Sequence, residues 1–321
     1  MQLKFKILEI IMEKYGSYKK GYFKAGDGHK LYYECYGNPD GIPVLSIHGG
    51  PGCGFCDDEK KYYNPEIYNV ILYDQRGSGR SKPFASIKNN TTQKLIQDQK
   101  NLMEFLGIER PFLSGGSWGS TMALVYSIQY PELVRGLLVR GIFLANSADI
   151  KHYIGGGIKK FFPDVWNRFI SLVPPKNRKD PSSYYLKKMN SKDPLVKDVY
   201  TYEWAYYEIA ISRMEMPAKK IVKILGKFSY QSLSPLEAHF MINQCFLEEN
   251  YILKNASKLS HLPVSIIHGR YDFICLPKNA FNLHKKIKNS RLFVVCAGHS
   301  GSEKEIEKKI FSEMKRYEKL I

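Results

Sequence analysis

Short apolar runs separated by glycine-rich polar turns mark the first part of the chain. Pro43 to Ile47, Tyr68 to Tyr73, Phe112-Leu113 and Leu137 to Val139 read as strands buried on both faces. Ahead of them, Tyr22-Phe23-Lys24 and Lys30 to Tyr36 read as two strands joined by a hairpin turn at Gly26-Asp27-Gly28. A helix capped by Thr92 runs to about Leu106 and stops at Gly107, and a second helical pattern runs from Ser120 to Tyr130. From about Asn146 the strand signals cease. Aromatic and charged helical segments follow, with breaks expected at Pro163, Pro174-Pro175, Pro181, Pro194, Pro217 and Pro235. Strand patterns return at Val264 to Ile267 and Leu292 to Val295. A last helix spaces Ile306, Ile310, Phe311, Met314 and Tyr317 along one face. Alternating strands and helices predict an α/β fold, a mostly parallel central sheet with helices on both faces. The helical stretch predicts an inserted cap: residues 1–145 and 246–321 form the sheet domain and 146–245 the cap.

Composition narrows the picture. A chain of 321 residues with 44% apolar positions suits one large α/β domain with an inserted subdomain. There is no run of apolar residues long enough to span a membrane. The segment from Leu3 to Lys14 mixes charges into its apolar positions, which predicts an amphipathic surface helix rather than a secretory signal. The net charge of +17 comes from scattered lysines without a nucleic-acid motif, so neither nucleic acid nor a membrane is an expected partner. Six cysteines in a large chain without a signal point to reduced thiols and a cytoplasmic protein. A lone Cys53-Gly54-Phe55-Cys56 without a second ligand pair predicts neither a metal site nor a redox centre. No cofactor is expected. The oligomeric state stays open, with a monomer preferred.

The chemistry is concentrated in a few loops. Gly115-Gly116-Ser117-Trp118-Gly119 sits between a strand and a helix, where a serine is pushed out of the main chain as a nucleophile. Serine needs a base, and the base needs an orienting carboxylate. Following the late strands, Asp272 and His299 stand in the order Ser, Asp, His. His48-Gly49-Gly50-Pro51-Gly52, after an earlier buried strand, is a natural oxyanion loop. Oxyanion donors are therefore expected at Gly50 and Trp118. The serine also argues against the dehalogenases and epoxide hydrolases that share such an architecture but use aspartate.

These motifs together, with Asp74-Gln75-Arg76-Gly77-Ser78-Gly79-Arg80-Ser81, Arg140-Gly141-Ile142-Phe143, His268-Gly269-Arg270-Tyr271-Asp272, Gly298-His299-Ser300 and, in the cap, Phe162-Pro163-Asp164-Val165-Trp166, resemble the proline iminopeptidase family of the α/β-hydrolase superfamily. The resemblance runs from about Tyr22 to Glu303. It implies an α/β-hydrolase fold and a serine exopeptidase that removes N-terminal proline from small peptides through an acyl-enzyme. It also implies acidic anchors in the cap for the substrate amine, carried over onto Glu208 and Glu237, with Glu203 beside Trp204 as the register alternative to Glu208. Phe143 and Tyr153 are the expected walls for the proline ring. Two departures stand out: Tyr207 replaces the family's tryptophan, and Cys53-Gly54-Phe55-Cys56 follows Gly52 where the family often continues its glycine run. The alternatives are an esterase, lactonase or broader aminopeptidase on the same fold, and a non-enzymatic basic binding module.

Overall fold

The computed structural model of the chain describes residues 16–226 and 229–320. The helix expected between Leu3 and Lys14 lies outside the described residues. Among those described, the strands are β1 (Ser17–Gly26), β2 (His29–Gly37), β3 (Ile42–Ile47), β4 (Tyr68–Tyr73), β5 (Phe112–Gly116), β6 (Gly136–Arg140), β7 (Val264–Gly269) and β8 (Ser290–Val295). They form one sheet in the order β1-β2-β4-β3-β5-β6-β7-β8. The β1–β2 hairpin and the β2–β4 pair are antiparallel, and every pair from β4 to β8 is parallel. Because β3 lies between β4 and β5, the chain leaves it first to one side and then to the other. The loops at the carboxyl ends of β3 and β5 part there, which opens a crevice at the place where ligands of open α/β sheets bind.

Alternation along the strands sorts the core into two layers. Leu45, Ile47, Ile71, Leu113, Leu137, Val139 and Ile266 face helices α1 (Thr92–Leu106) and α2 (Trp118–Gln129). Val44, Val70, Leu72, Leu138 and Ile267 face the last helix, which carries Ile306, Ile310, Met314 and Tyr317 into the second layer. Phe311 of that helix is only half-buried and meets Tyr62 edge-on. Burial on both faces is why these strands read as unbroken apolar runs.

Between β6 and β7 come α3 (Ser147–Ile154), α4 (Pro163–Ser171), α5 (Pro181–Met189), α6 (Pro194–Ile211), α7 (Ala218–Leu225), α8 (Tyr230–Ile242) and α9 (Tyr251–Asn255). The prolines expected as breaks mostly begin helices: Pro163, Pro181 and Pro194 occupy first-turn positions, where a missing N–H costs nothing. Pro235 is different, since α8 continues through it. The helix forgoes one backbone hydrogen bond there. Burial of Leu233, Leu236, Ala238 and Phe240 on both sides holds it in register. Helix α1 starts one residue earlier in its capping than the sequence suggests. Thr91 is the cap, its Oγ1 accepting from Lys94 N, while Thr92 donates to the Cys245 carbonyl at 2.5 Å. Gly107 ends the helix at φ 70° as expected. The remaining helices are α10 (Pro277–Lys286) and α11 (Lys304–Tyr317), the latter being the last helix above. No helix among the described residues is long and apolar enough to cross a membrane.

Candidate active site

Ser117 is the residue between β5 and α2, at φ 57° and ψ −126°. A non-glycine residue at that backbone conformation is strained, and a fixed environment must hold it. Here the strand and helix are pressed together by glycines. A Cβ on Gly115 would lie 2.3 Å from the Gly119 carbonyl oxygen, and one on Gly119 would lie 2.1 Å from that of Ile47. The Ser117 amide donates to the Arg140 carbonyl at 3.0 Å, which ties the turn to the end of β6. The Trp118 amide is in the first turn of α2, where helix N–H groups have no partner of their own.

The glycine loop after β3 packs against this turn. A Cβ on Gly49 would meet the Gly116 carbonyl oxygen at 3.3 Å and the Ser117 Cβ at 3.6 Å. The neighbouring Gly50 has φ 108°, which only glycine adopts without strain. A chain of hydrogen bonds that the sequence reading missed holds the loop. His48 Nδ1 donates to the Gly49 carbonyl at 2.7 Å, and His48 Nε2 accepts from the Gln75 amide at 3.0 Å. Gln75 in turn donates to the His48 carbonyl and accepts from the Trp118 indole, both at 2.9 Å. Burial pushes the His48 imidazole below its ordinary value, so it is neutral and keeps one donor and one acceptor nitrogen. The signal was present in the sequence, in a histidine before the glycines and a glutamine two strands away from the indole, but only the fold brings them into contact.

Asp272 and His299 come from the loops after β7 and β8. His299 Nδ1 is 2.8 Å from Asp272 Oδ2. The other carboxylate oxygen accepts from the Ile274 and Cys275 amides at 3.1 and 2.9 Å. Burial works to raise the Asp272 carboxyl, but the His299 charge and hydrogen bond prevail and hold it below its usual value. It is an ionised, fixed acceptor that orients the imidazole. Gly141, at φ 52°, leaves room for the pair, since a Cβ there would sit 3.1 Å from His299 Cε1. Arg140 connects this pair with the serine turn. Its carbonyl accepts from Ser117 and its Nη1 donates to the His299 carbonyl at 3.4 Å. The buried Cys275 thiol adjoins the Ser117 side chain. The sequence reading assigned no role to either residue.

The cap residues converge from two helices. Glu208 lies on α6 and Glu237 on α8, and their carboxyls adjoin. Glu237 is buried, with Oε2 accepting from the Trp204 indole at 2.6 Å and the Tyr153 hydroxyl at 3.2 Å. Burial, and then the neighbouring Glu208 charge, push Glu237 well up. Burial pushes Glu208 up to about 7, with the His299 charge acting against it. Glu208 Oε2 is buried without a hydrogen-bond partner in the protein. Two adjoining carboxyls in such a place cannot both ionise without a cation beside them. Glu203, the register alternative, is elsewhere: its carboxylate takes a bidentate pair from Arg168 at 2.7 Å on the outer face of α6. Trp204 and Glu208 are four residues apart and share the inner face, a spacing that separates Glu208 from Glu203.

Tyr153 lies beside this pair, its ring 5.5 Å from that of Tyr207 and its hydroxyl on Glu237. Tyr207, the substitution noted in the sequence, donates its hydroxyl to the Tyr153 carbonyl. Phe143 is buried above the first turn of α2, its amide and carbonyl held by Ser120 and Thr121. Cys53 and Cys56 are free thiols, and burial, with the two cap glutamates, pushes Cys53 well up, away from thiolate chemistry. No cluster of three or more metal-ligating side chains occurs among the described residues.

Comparison with known proteins shows the family. The family model for the alpha/beta hydrolase fold matches residues 42–305. A proline iminopeptidase from Xylella fastidiosa is 38% identical over 89% of this chain and 92% of its own. One from Arabidopsis thaliana is 37% identical over 89% of this chain and 76% of its own. Among solved structures, an esterase from Exiguobacterium antarcticum superposes with a TM-score of 0.63 over 94% of this chain and 100% of its own, at 20% identity, a likeness of fold alone. On the length and level of these matches, the chain belongs to the α/β-hydrolase fold family and, within it, to the proline iminopeptidases.

Proposed function

We propose that the protein is a serine exopeptidase that releases N-terminal proline from small peptides. The observation that carries this reading is the adjoining pair of buried Glu237 and half-buried Glu208, whose Oε2 is buried without a partner; their unmet need for a cation matches the protonated secondary amine of an N-terminal proline. Phe143 and Tyr153 are apolar walls for the ring, and residues 146–245 act as the cap that carries the amine site over the sheet domain. Relatives with the proline iminopeptidase name support the same substrate class.

In the reaction, Ser117 Oγ adds to the prolyl carbonyl carbon as His299 Nε2 takes its proton. Asp272 holds the imidazole through Nδ1 and stabilises its charged form. The oxyanion is received by the amides of Gly50 and Trp118. The C–N bond then breaks, and His299 returns the proton to the departing peptide amine. The acyl-enzyme remains. Water repeats the sequence on the ester, giving free proline and Ser117. No metal or cofactor takes part in these steps.

The test compares a proline arylamide with a p-nitrophenyl ester, in the unsubstituted protein and in Glu208→Gln/Glu237→Gln. Arylamide turnover is expected to collapse in the double variant while the ester rate persists. Cleavage of the ester alone, indifferent to the two glutamates, would retain the hydrolase and overturn the substrate, leaving an esterase. Equal rates on free and N-acetylated prolyl substrates would overturn the amine site.

A further inference from the structure

Behind the serine turn, on the α11 side of the sheet, is a cavity of about 240 Å³. Gly115, Gly116, His48 and Gly49 line it, so it shares walls with the candidate active site. Four charged side chains also line it, two of each sign: Asp58, Glu59, Lys61 and Arg140. Asp58 is exposed, and Lys61 is engaged by Glu307 at 2.6 Å. Glu59 and Arg140 remain. Among the described residues, neither has an oppositely charged side chain within 4.0 Å.

Each is nevertheless held in place. Glu59 Oε2 accepts from Ser46 Oγ at 3.1 Å. Burial pushes its carboxyl up, and Arg140 is the foremost influence acting against that. The Arg140 guanidinium is seated between two glycines. A Cβ on Gly116 would lie 2.3 Å from Arg140 Cζ, and one on Gly301 would lie 2.6 Å from it. Its position is therefore set by backbone packing and the His299 carbonyl rather than by a carboxylate. A fixed cation and a fixed acid that feel each other, yet do not pair, leave a gap that a ligand of both charges would bridge.

We propose that this cavity binds a small zwitterion, an α-amino acid or short peptide, with its carboxylate on Arg140 and its ammonium on Glu59. The volume, below that of drug-sized pockets, suits a ligand of one or two residues. The occupant would sit on the residue whose carbonyl holds Ser117 and whose side chain holds His299. The site stands whatever the reaction at Ser117 proves to be. The same ligand chemistry has two sources, a free amino acid or the peptide left after its first residue is removed.

Calorimetric titration of the full chain carrying Ser117→Ala, which prevents turnover, tests this with glycine and glycylglycine as probes. Saturable binding is expected for at least one of them. N-acetylglycine and glycinamide, each lacking one charge, are expected to bind about tenfold or more weaker, the loss of one charged hydrogen bond. Glu59→Gln is expected to weaken the zwitterion by a similar factor without lowering its unfolding temperature, and Glu208→Gln/Glu237→Gln to leave it unaltered. Tighter glycine binding assigns the site to free amino acids, and tighter glycylglycine binding to short peptides. Binding of neither probe overturns the proposal, as does equal binding of the singly charged analogues or loss confined to the Glu208/Glu237 variant. Should Glu59→Gln not fold, the analogue comparison decides alone.

Discussion

The Trp204 indole donates to Glu237 Oε2 at 2.6 Å, from the same face of α6 that carries Glu208 one turn later. This bond and the one from Tyr153 are the means by which a buried carboxyl is held ready to ionise. Hydrogen bonds to charged groups are worth about 1.5–3 kcal/mol. Trp204→Phe is therefore expected to raise KM for a prolyl arylamide by about tenfold or more while leaving turnover of a p-nitrophenyl ester near the unsubstituted rate. Steady-state kinetics on both substrates checks this. A parallel loss on the ester would mean that the indole supports the whole site rather than the amine anchor.

Glu208, pushed up to about 7 by burial, gives the site a pH dependence of definite sign. In the proposed reaction the ionised carboxyl is the form that would bind the substrate cation, so KM for prolyl substrates is expected to fall as pH rises through about 7, and this step is expected to vanish in Glu208→Gln. Stability runs the other way. Between the ordinary value of 4.5 and about 7, the folded state binds more protons than the unfolded one. The stability contributed by that proton is complete below 4.5 and is lost as pH rises through about 7. Glu208→Gln is expected to match the unsubstituted protein at acid pH and exceed it by about 1–2 kcal/mol above neutrality. Urea unfolding at two pH values measures it.

Gly141 is the contact that decides how closely His299 and Asp272 approach the end of β6. A methyl group there would meet His299 Cε1 at 3.1 Å and Nδ1 at 3.2 Å, at a φ of 52° that disfavours alanine. Gly141→Ala is expected to lower kcat by about tenfold or more, with KM little changed, because displacement of the imidazole affects chemistry more than the amine site. A change in KM alone would contradict this.

Arg76 belongs to the loop that holds Gln75 against His48. Its guanidinium makes a bidentate pair with Asp98 at 2.5 and 2.8 Å, both side chains almost fully buried. Asp98→Asn would leave that buried cation with the partly exposed Asp27, 3.0 Å from Nη1, as its remaining carboxylate partner. It is expected to destabilise the fold by about 3 kcal/mol, read from denaturant unfolding.

Much of this protein was legible in its sequence. Period and length marked the buried strands, because a strand covered on both faces must be apolar throughout. The glycines around Ser117 announced a turn too tight for side chains. The order of Ser117, Asp272 and His299, each after a strand, follows from local chain direction alone. Local rules misjudged what local energy does not decide. Pro235 sits inside α8 because tertiary packing outweighs one lost hydrogen bond.

What only the folded chain decided are the meetings of distant residues. Glu203 and Glu208 are equivalent as glutamates near an aromatic, and the rotation of α6 against α8 sends one to Arg168 and the other to Glu237. The pairing of His48 with Gln75, of Arg140 with both Ser117 and His299, and, among the described residues, the lack of an ion pair at Glu59 and Arg140 arise in the same way. Sequence sets the conformation of each segment through interactions a few residues apart. Burial, and with it the charge state and partner of every buried group, depends on which segments the sheet and cap bring together, and that is a property of the whole fold.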